Sequence, residues 1–225
     1  MPVAAVTLIN LPETAKNQSV GLQTSLYELL SSFGSHFDLS VTDVHGTDST
    51  QITNQNREII KLVSRSTGVV AAYIDLIHQP TLNDHEFEAF SKRVRNLALS
   101  PVNIPNLFSW IVKIDVSKTF LDEHQALCND PIEKELIGKS FPLVPFFMYL
   151  TAGKRAVSKN SEIIYLSVGQ KFQKVLNAMR FLPVSIGSES VEEDNVPRTP
   201  IVIRSTPFFD QKNPLHTVIS QIKFE

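Results

Sequence analysis

Asn10-Leu11-Pro12-Glu13-Thr14-Ala15-Lys16-Asn17 stands between an apolar run, Val3–Ile9, and a stretch whose leucines recur at helical spacing. Its spacing is that of the phosphate-binding loop G-x-x-x-x-G-K-[ST], with Lys16 in place and both glycines missing. Those glycines let backbone N–H groups wrap a phosphate with no side chain intervening. Asn10 and Ala15 do not substitute freely where φ must be positive. Asn17 also replaces the hydroxyl residue that would ligate Mg²⁺.

Working outward, Val3–Ile9 reads as a strand buried on both faces. Leu22, Leu26, Leu29, Leu30 and Phe33 mark a helix that Gly34 ends. Alternation predicts strands at Phe37–Val41 and Phe108–Val116, and 68–77 is the clearest continuous apolar strand. Ile59, Ile60, Leu62 and Val63 read as a helix. Asn83 caps another, with Glu86 as its capping-box partner and Phe87, Phe90, Val94 and Leu97 as its buried face. The segment 119–138 reads as helical with a break at Pro131, which occupies the first turn of a new helix after Asp130. Val144–Leu150 reads as a strand entered through Pro142 and Pro145. Ile163–Val168 is a short strand or the approach to a helix, and Phe172, Val175, Leu176 and Met179 form a helical stripe. Residues 187–199 read as an acidic loop, Ile201–Ile203 as an edge strand, and Asn213–Pro214 as the start of a final helix. The alternation predicts an α/β fold: three layers, a mostly parallel sheet flanked by helices, doubly wound. The α/β domain spans 1–182, with the acidic loop and C-terminal strand and helix of 183–225 packed on it.

In such a fold ligands bind where strand carboxyl ends meet the following loops. Four places fit: 10–17; Asp43–Gly46 (D-V-H-G); Val112–Asp115 (V-K-I-D); and Leu150–Lys154 (L-T-A-G-K). In this order they resemble the phosphate loop, D-x-x-G, N-K-x-D and S-A-K landmarks of small-GTPase-like G domains, over roughly residues 3–180. The resemblance implies a nucleotide site of Lys16, Asn17, Asp43, Lys113 and Asp115, if binding is retained. It also implies that activity is lost, because Val112 replaces the guanine-reading Asn and the glycines and Mg²⁺ hydroxyl are absent. The implied class is a pseudo-GTPase, a G-like scaffold kept for protein contacts.

Bulk properties frame this reading. The chain has 225 residues, 42% hydrophobic and 20% charged, with only 8 glycines, which disfavours glycine-rich catalytic loops. One cysteine, Cys128, excludes an intramolecular disulfide and fits a reducing compartment. The N-terminus lacks a signal-peptide pattern and no apolar run reaches membrane-spanning length, so an intracellular protein, cytoplasmic or nuclear, is expected. His78 with His85, or His124 with Cys128, lacks a third ligand at a known spacing, so no metal is expected. Net charge of −2 hides an asymmetry: residues 1–90 carry 4 basic and 10 acidic side chains, whereas 137–180 carry 7 basic and one acidic. Lys154, Arg155, Lys159, Lys171 and Lys174 therefore form the expected partner-binding patch, suited to an acidic protein surface; nucleic acid is a less favoured partner. The leading expectation is a non-catalytic adaptor or scaffold subunit with no cofactor, GTP or GDP being a weak alternative. The runner-up is a flavodoxin-like protein whose loop Thr14–Ser19 cradles a flavin or sugar phosphate. A third reading is an anionic-polymer binder acting through 154–174.

Overall fold

The computed structural model describes Leu30 and residues 34–44, 57–78, 108–186, 190–191 and 197–224. Its strands are β1 (Phe37–Asp43), β2 (Arg57–Ser64), β3 (Val70–His78), β4 (Phe108–Val116), β5 (Ile163–Val168), β6 (Val184–Ser185), β7 (Ser190–Val191) and β8 (Pro197–Arg204). Its helices are α1 (Phe120–Leu127), α2 (Pro131–Ser140), α3 (Val144–Ser158), α4 (Gln170–Ala178) and α5 (His216–Gln221). The sheet runs β1-β2-β3-β4-β5-β8-β6, with β7 paired to β8. Among the described residues only β4 and β5 are parallel; the other pairings are antiparallel.

The architecture is thus mixed α/β, a sheet flanked by helices, and the expectation of a mostly parallel, doubly wound sheet is corrected. The G-domain resemblance falls with it. β1, β2, β3 and β4 pair antiparallel in sequence order, and among the described residues the successive parallel crossovers that a G-like fold needs are not made. The expected strand Val3–Ile9, the loop with Lys16 and Asn17, and the helix begun by Asn83 lie outside the described residues.

Two element types were misread for physical reasons. Ile59–Val63 belongs to β2, a strand. Glu58, Ile60, Leu62 and Ser64 are buried, alternating with the less buried Arg57, Ile59, Lys61 and Val63. That period is two, and β-branched Ile and Val suit a pleated surface. Val144–Leu150 is the first half of α3, a helix, with Pro145 in its first turn. Val144 and every residue from Phe146 to Gly153 are buried, so the helix shows no polar stripe and its sequence mimics a buried strand. α3 packs across β3 and β4. Elsewhere β1, β3, β4, β5, α1, α2 and α4 form close to where the pattern places them. The Asp130 carboxylate accepts from the Ile132 N–H at 2.8 Å, capping α2 with Pro131 in its first turn. β8 is interior, between β5 and β6, where an edge strand was expected. Of the expected acidic loop, 190–191 and 197–199 lie in β7 and β8, which pair with each other; the rest is outside the described residues.

Candidate active site

The one parallel pairing among the described strands is short. β4 and β5 are matched at Phe108–Ile163, Ser109–Ile164 and Trp110–Tyr165, and then part. The register of β4 against β3 explains why: Asp75 faces Lys113 and Leu76 faces Ile111, leaving Val112 as an extra residue. A bulge bends and twists its strand. This one follows directly on the last parallel pair, so the C-terminal halves of β4 and β5 diverge. The outer edge of β4 is held by β3 and that of β5 by β8. The cleft is therefore lined by two strand edges whose N–H and C=O groups are not paired with each other.

The closed end of the cleft is clamped from the core. Ser109 Oγ lies 2.7 Å from His78 Nδ1 and 2.6 Å from Ser161 Oγ, joining β4 to the residue that leads into β5. His78 Nε2 lies 3.3 Å from Glu58 Oε2. The Arg155 guanidinium donates to both Glu58 oxygens, at 2.6 and 2.8 Å, and Lys159 Nζ stands 3.0 Å away. Burial alone would raise the Glu58 pKa, but hydrogen bonds from His78, Arg155 and Lys159 outweigh it and hold the carboxyl well below the usual range. The Glu–His–Ser order looks like a hydrolytic triad. Glu58, His78, Ser109 and Ser161 are all buried, however, so Ser109 cannot meet a substrate. The group is a clamp.

The opposite face of the sheet carries a cross-strand row. Ile77, Trp110, Tyr165, Val202 and Val184 are register partners in turn. The Trp110 and Tyr165 rings lie 5.9 Å apart. Beyond Tyr165 the row enters a groove of about 660 Å³ lined by Ile163, Val184 and Val202, with Arg180, Arg204 and Lys212 among its polar residues. At the other end, Asp75 and Lys113 are register partners, as are Tyr73 and Asp115. Arg57 Nε donates to Asp75 at 2.7 Å, and this pairing keeps the guanidinium pKa above its ordinary value. Tyr73 Oη donates to Asp115 Oδ2 at 2.9 Å, and Lys113 Nζ lies 2.9 Å from the same oxygen. Burial works against ionised Asp115, and the Lys113 and Tyr73 hydrogen bonds overcome it, lowering its pKa. The same bond raises that of Lys113.

The residues chosen from sequence are dispersed. Lys16 and Asn17 are outside the described residues. Asp43 ends β1, exposed, at the sheet edge. Lys113 and Asp115 lie within β4, paired to each other on the cleft face, rather than in a loop reading a base. The fourth landmark, Leu150–Lys154, is inside helix α3. In the expected basic patch, Lys154 Nζ donates to the Ser220 carbonyl at 2.9 Å and to that of Ile222, and burial lowers its pKa. Arg155 and Lys159 serve Glu58. Lys171 and Lys174 are exposed on α4. Neither Trp110 nor the Glu58–His78–Ser109 part of the clamp is marked as a site by the sequence. Trp110 could have been: it is the only tryptophan, placed between Ser109 and the apolar Ile111 and Val112. Among the described residues no helix is long and apolar enough to cross a membrane.

No family model matches the chain, and no curated protein matches it. Solved structures do. FeeM, an N-acyl amino acid synthase from uncultured soil microbes, is similar at 11% identity and TM-score 0.46, covering 92% of this chain and 94% of that one. BjaI, a CoA-dependent acyl-homoserine lactone synthase solved with SAM and isopentyl-CoA, is similar at 9% identity and TM-score 0.43, covering 80% and 71%. The AHL synthase LasI is similar at 8% identity and TM-score 0.40, covering 90% and 91%. These three are described as synthases, none as a G domain or an adaptor. The antiparallel pairing of β1 to β4 withdraws the pseudo-GTPase identification, the adaptor built on it and the flavodoxin-like alternative, and the engagement of Lys154, Arg155 and Lys159 within the fold withdraws the anionic-polymer reading.

Proposed function

We propose that the protein is an acyltransferase that binds an extended, amide-bearing acyl thioester between β4 and β5. The observation that carries the reading is the cleft itself: two parallel strands clamped at one end, forced apart at the other by the Val112 bulge. Facing strand edges recognise extended chains through main-chain hydrogen bonds, as in strand addition. The arm of coenzyme A is such a chain, with two amides in series. α1 and α4 begin just beyond the open ends of β4 and β5, and helix N-termini favour anionic groups such as its phosphates. The groove past Tyr165 offers an apolar path for the acyl chain, and its cations suit an anionic acceptor. BjaI is described as CoA-dependent, but the reading rests on the cleft and not on that likeness. Asp75 on β3 and Asp115 on β4 are ion-paired, to Arg57 and Lys113, so their role is to order charge along these strands.

Ser167 is two residues past Tyr165, on the same face of β5 and beyond the last pair with β4. Ser167→Phe is expected to weaken acyl-CoA binding by at least about tenfold, because the ring fills space the ligand arm needs. Calorimetric titration of wild type and variant with acyl-CoAs of graded chain length, with melting curves as a folding control, tests this. Micromolar binding lost in the variant supports the reading; no binding to wild type at millimolar acyl-CoA overturns it.

A further inference from the structure

The corner where α1 meets α2 holds a donor set that the cleft does not use. His124 and Cys128 are four residues apart, at the end and C-cap of α1, and so share a helix face. The Asp130–Pro131 turn brings Glu133, in the first turn of α2, back against them. One ligand atom from each of His124, Cys128 and Glu133 lies within 4.8 Å of the others. His124 Nε2 is 3.9 Å from Glu133 Oε1, and His36 Nδ1 is 3.7 Å from that same oxygen.

The independent sign is an orphaned atom. His124 is fully buried, yet its Nε2 has no hydrogen-bond partner. A buried polar atom left unsatisfied costs about 1–3 kcal/mol, so such atoms call for an explanation. Its other nitrogen, Nδ1, stands 3.3 Å from both Ser64 Oγ and Thr67 Oγ1, the outer hydrogen bonding that orients a metal-ligating imidazole. Ser66 Oγ donates to Glu133 Oε1 at 2.7 Å, orienting the carboxylate likewise.

We propose that His124 Nε2, Cys128 Sγ and a Glu133 oxygen, with His36 Nδ1 as the fourth donor, bind one Zn²⁺. Imidazole, thiolate and carboxylate together suit zinc better than Mg²⁺ or Ca²⁺, which want oxygen alone. Tetrahedral bonds of about 2.0–2.3 Å put donor atoms roughly 3.3–3.8 Å apart, so binding draws the widest pair among His124, Cys128 and Glu133 in by up to about 1 Å, and His36, which approaches only Glu133, moves further. With His36, which is partly exposed, closing the set over the buried His124 and Cys128, four protein donors make a closed, structural site. It would fasten the α1–α2 corner, directly downstream of β4, to the turn before β1 and to the β2–β3 connection that carries Ser66 and Thr67.

The test uses the full chain, stripped with EDTA, desalted, and titrated with Co²⁺ and then Zn²⁺. One equivalent of Co²⁺ should bind with tetrahedral visible bands and a thiolate-to-metal charge-transfer band, all displaced by Zn²⁺. Cys128 is the only cysteine, so the charge-transfer band must vanish in Cys128→Ser. Ser66→Ala should weaken Co²⁺ binding by about 10–100-fold while keeping the band. Zn²⁺ should also raise the wild-type melting temperature by at least about 5 °C, a readout that stands even where Cys128→Ser fails to fold. No charge-transfer band in wild type, a band that survives in folded Cys128→Ser, or no melting shift with Zn²⁺ overturns the site.

Discussion

Glu58→Ala is expected to lower the unfolding free energy by about 3–5 kcal/mol, the usual effect of removing one partner from a buried ion pair. The carboxylate is buried and accepts from Arg155 twice, with His78 and Lys159 close by. Its loss leaves the half-buried Arg155 charge and the His78 ring without their partner. Lys159 is largely exposed and adds little to the loss. Denaturant unfolding measures the effect; a change under 1 kcal/mol would show that Glu58 clamps nothing. Acid provides a second check. A carboxyl held below its ordinary pKa contributes stability that is complete above the unfolded value near 4.5 and is lost as pH falls below it. Wild type should therefore lose stability between about pH 4.5 and 2 more steeply than Glu58→Gln. Parallel slopes would contradict the assignment. Because Ser109 and Ser161 continue the network onto β4 and β5, the same substitution should loosen the closed end of the cleft and weaken ligand binding as well.

Gly153→Val should be comparably damaging. Gly153 sits in α3 where a Cβ would fall inside the ring of Phe208. Phe208 packs in turn on Phe181, with centroids 4.9 Å apart, and on Tyr149, at 5.5 Å. Alanine in place of glycine would gain up to about 1 kcal/mol of helix propensity but loses more to overpacking, typically about 1–3 kcal/mol; valine adds two methyls and a poorer propensity. Thermal melting of Gly153→Ala, Gly153→Val and Gly153→Ala with Phe208→Ala gives the answer. The single variants should melt in the order wild type, Ala, Val from high to low. The double variant should show a favourable coupling, since removing the ring removes the clash. Additive losses would mean that the ring gives way without strain.

This glycine also shows what sequence alone could and could not convey. Read as L-T-A-G-K it looked like a loop at a strand end; in the fold it is a close helix–ring contact. The β4 and β5 strands, the α1–α2 break and the Asp130 cap were legible because alternation, a proline and a capping carboxylate are local signals. α3 was not, because a helix buried on nearly every side has no amphipathic period. Strand direction was not legible either, and it decided the fold: β2 and β3 are joined by the short turn Arg65–Val69, with Gly68 at φ 72°, a hairpin once β2 is seen as a strand. Misreading β2 as a helix turned a meander into a false crossover. The cleft depends on a single unpaired residue, Val112, which no pattern marks. The metal-donor corner was half legible. His124 and Cys128 were paired by helical spacing, while Glu133 joins them only through the turn at Pro131, and His36, just before β1, approaches Glu133 only in the folded chain.

The cleft is the central claim, and Trp110 reports on it directly. It is the only tryptophan, it occupies the last paired position before β4 and β5 part, and it stands beside Tyr165. Titration of the protein with long-chain acyl-CoA, followed by tryptophan emission, should give a saturable change in intensity or wavelength. The midpoint should move at least about tenfold higher in Ser167→Phe. Emission that stays unchanged to millimolar acyl-CoA, or a titration identical in the two proteins, would contradict the account.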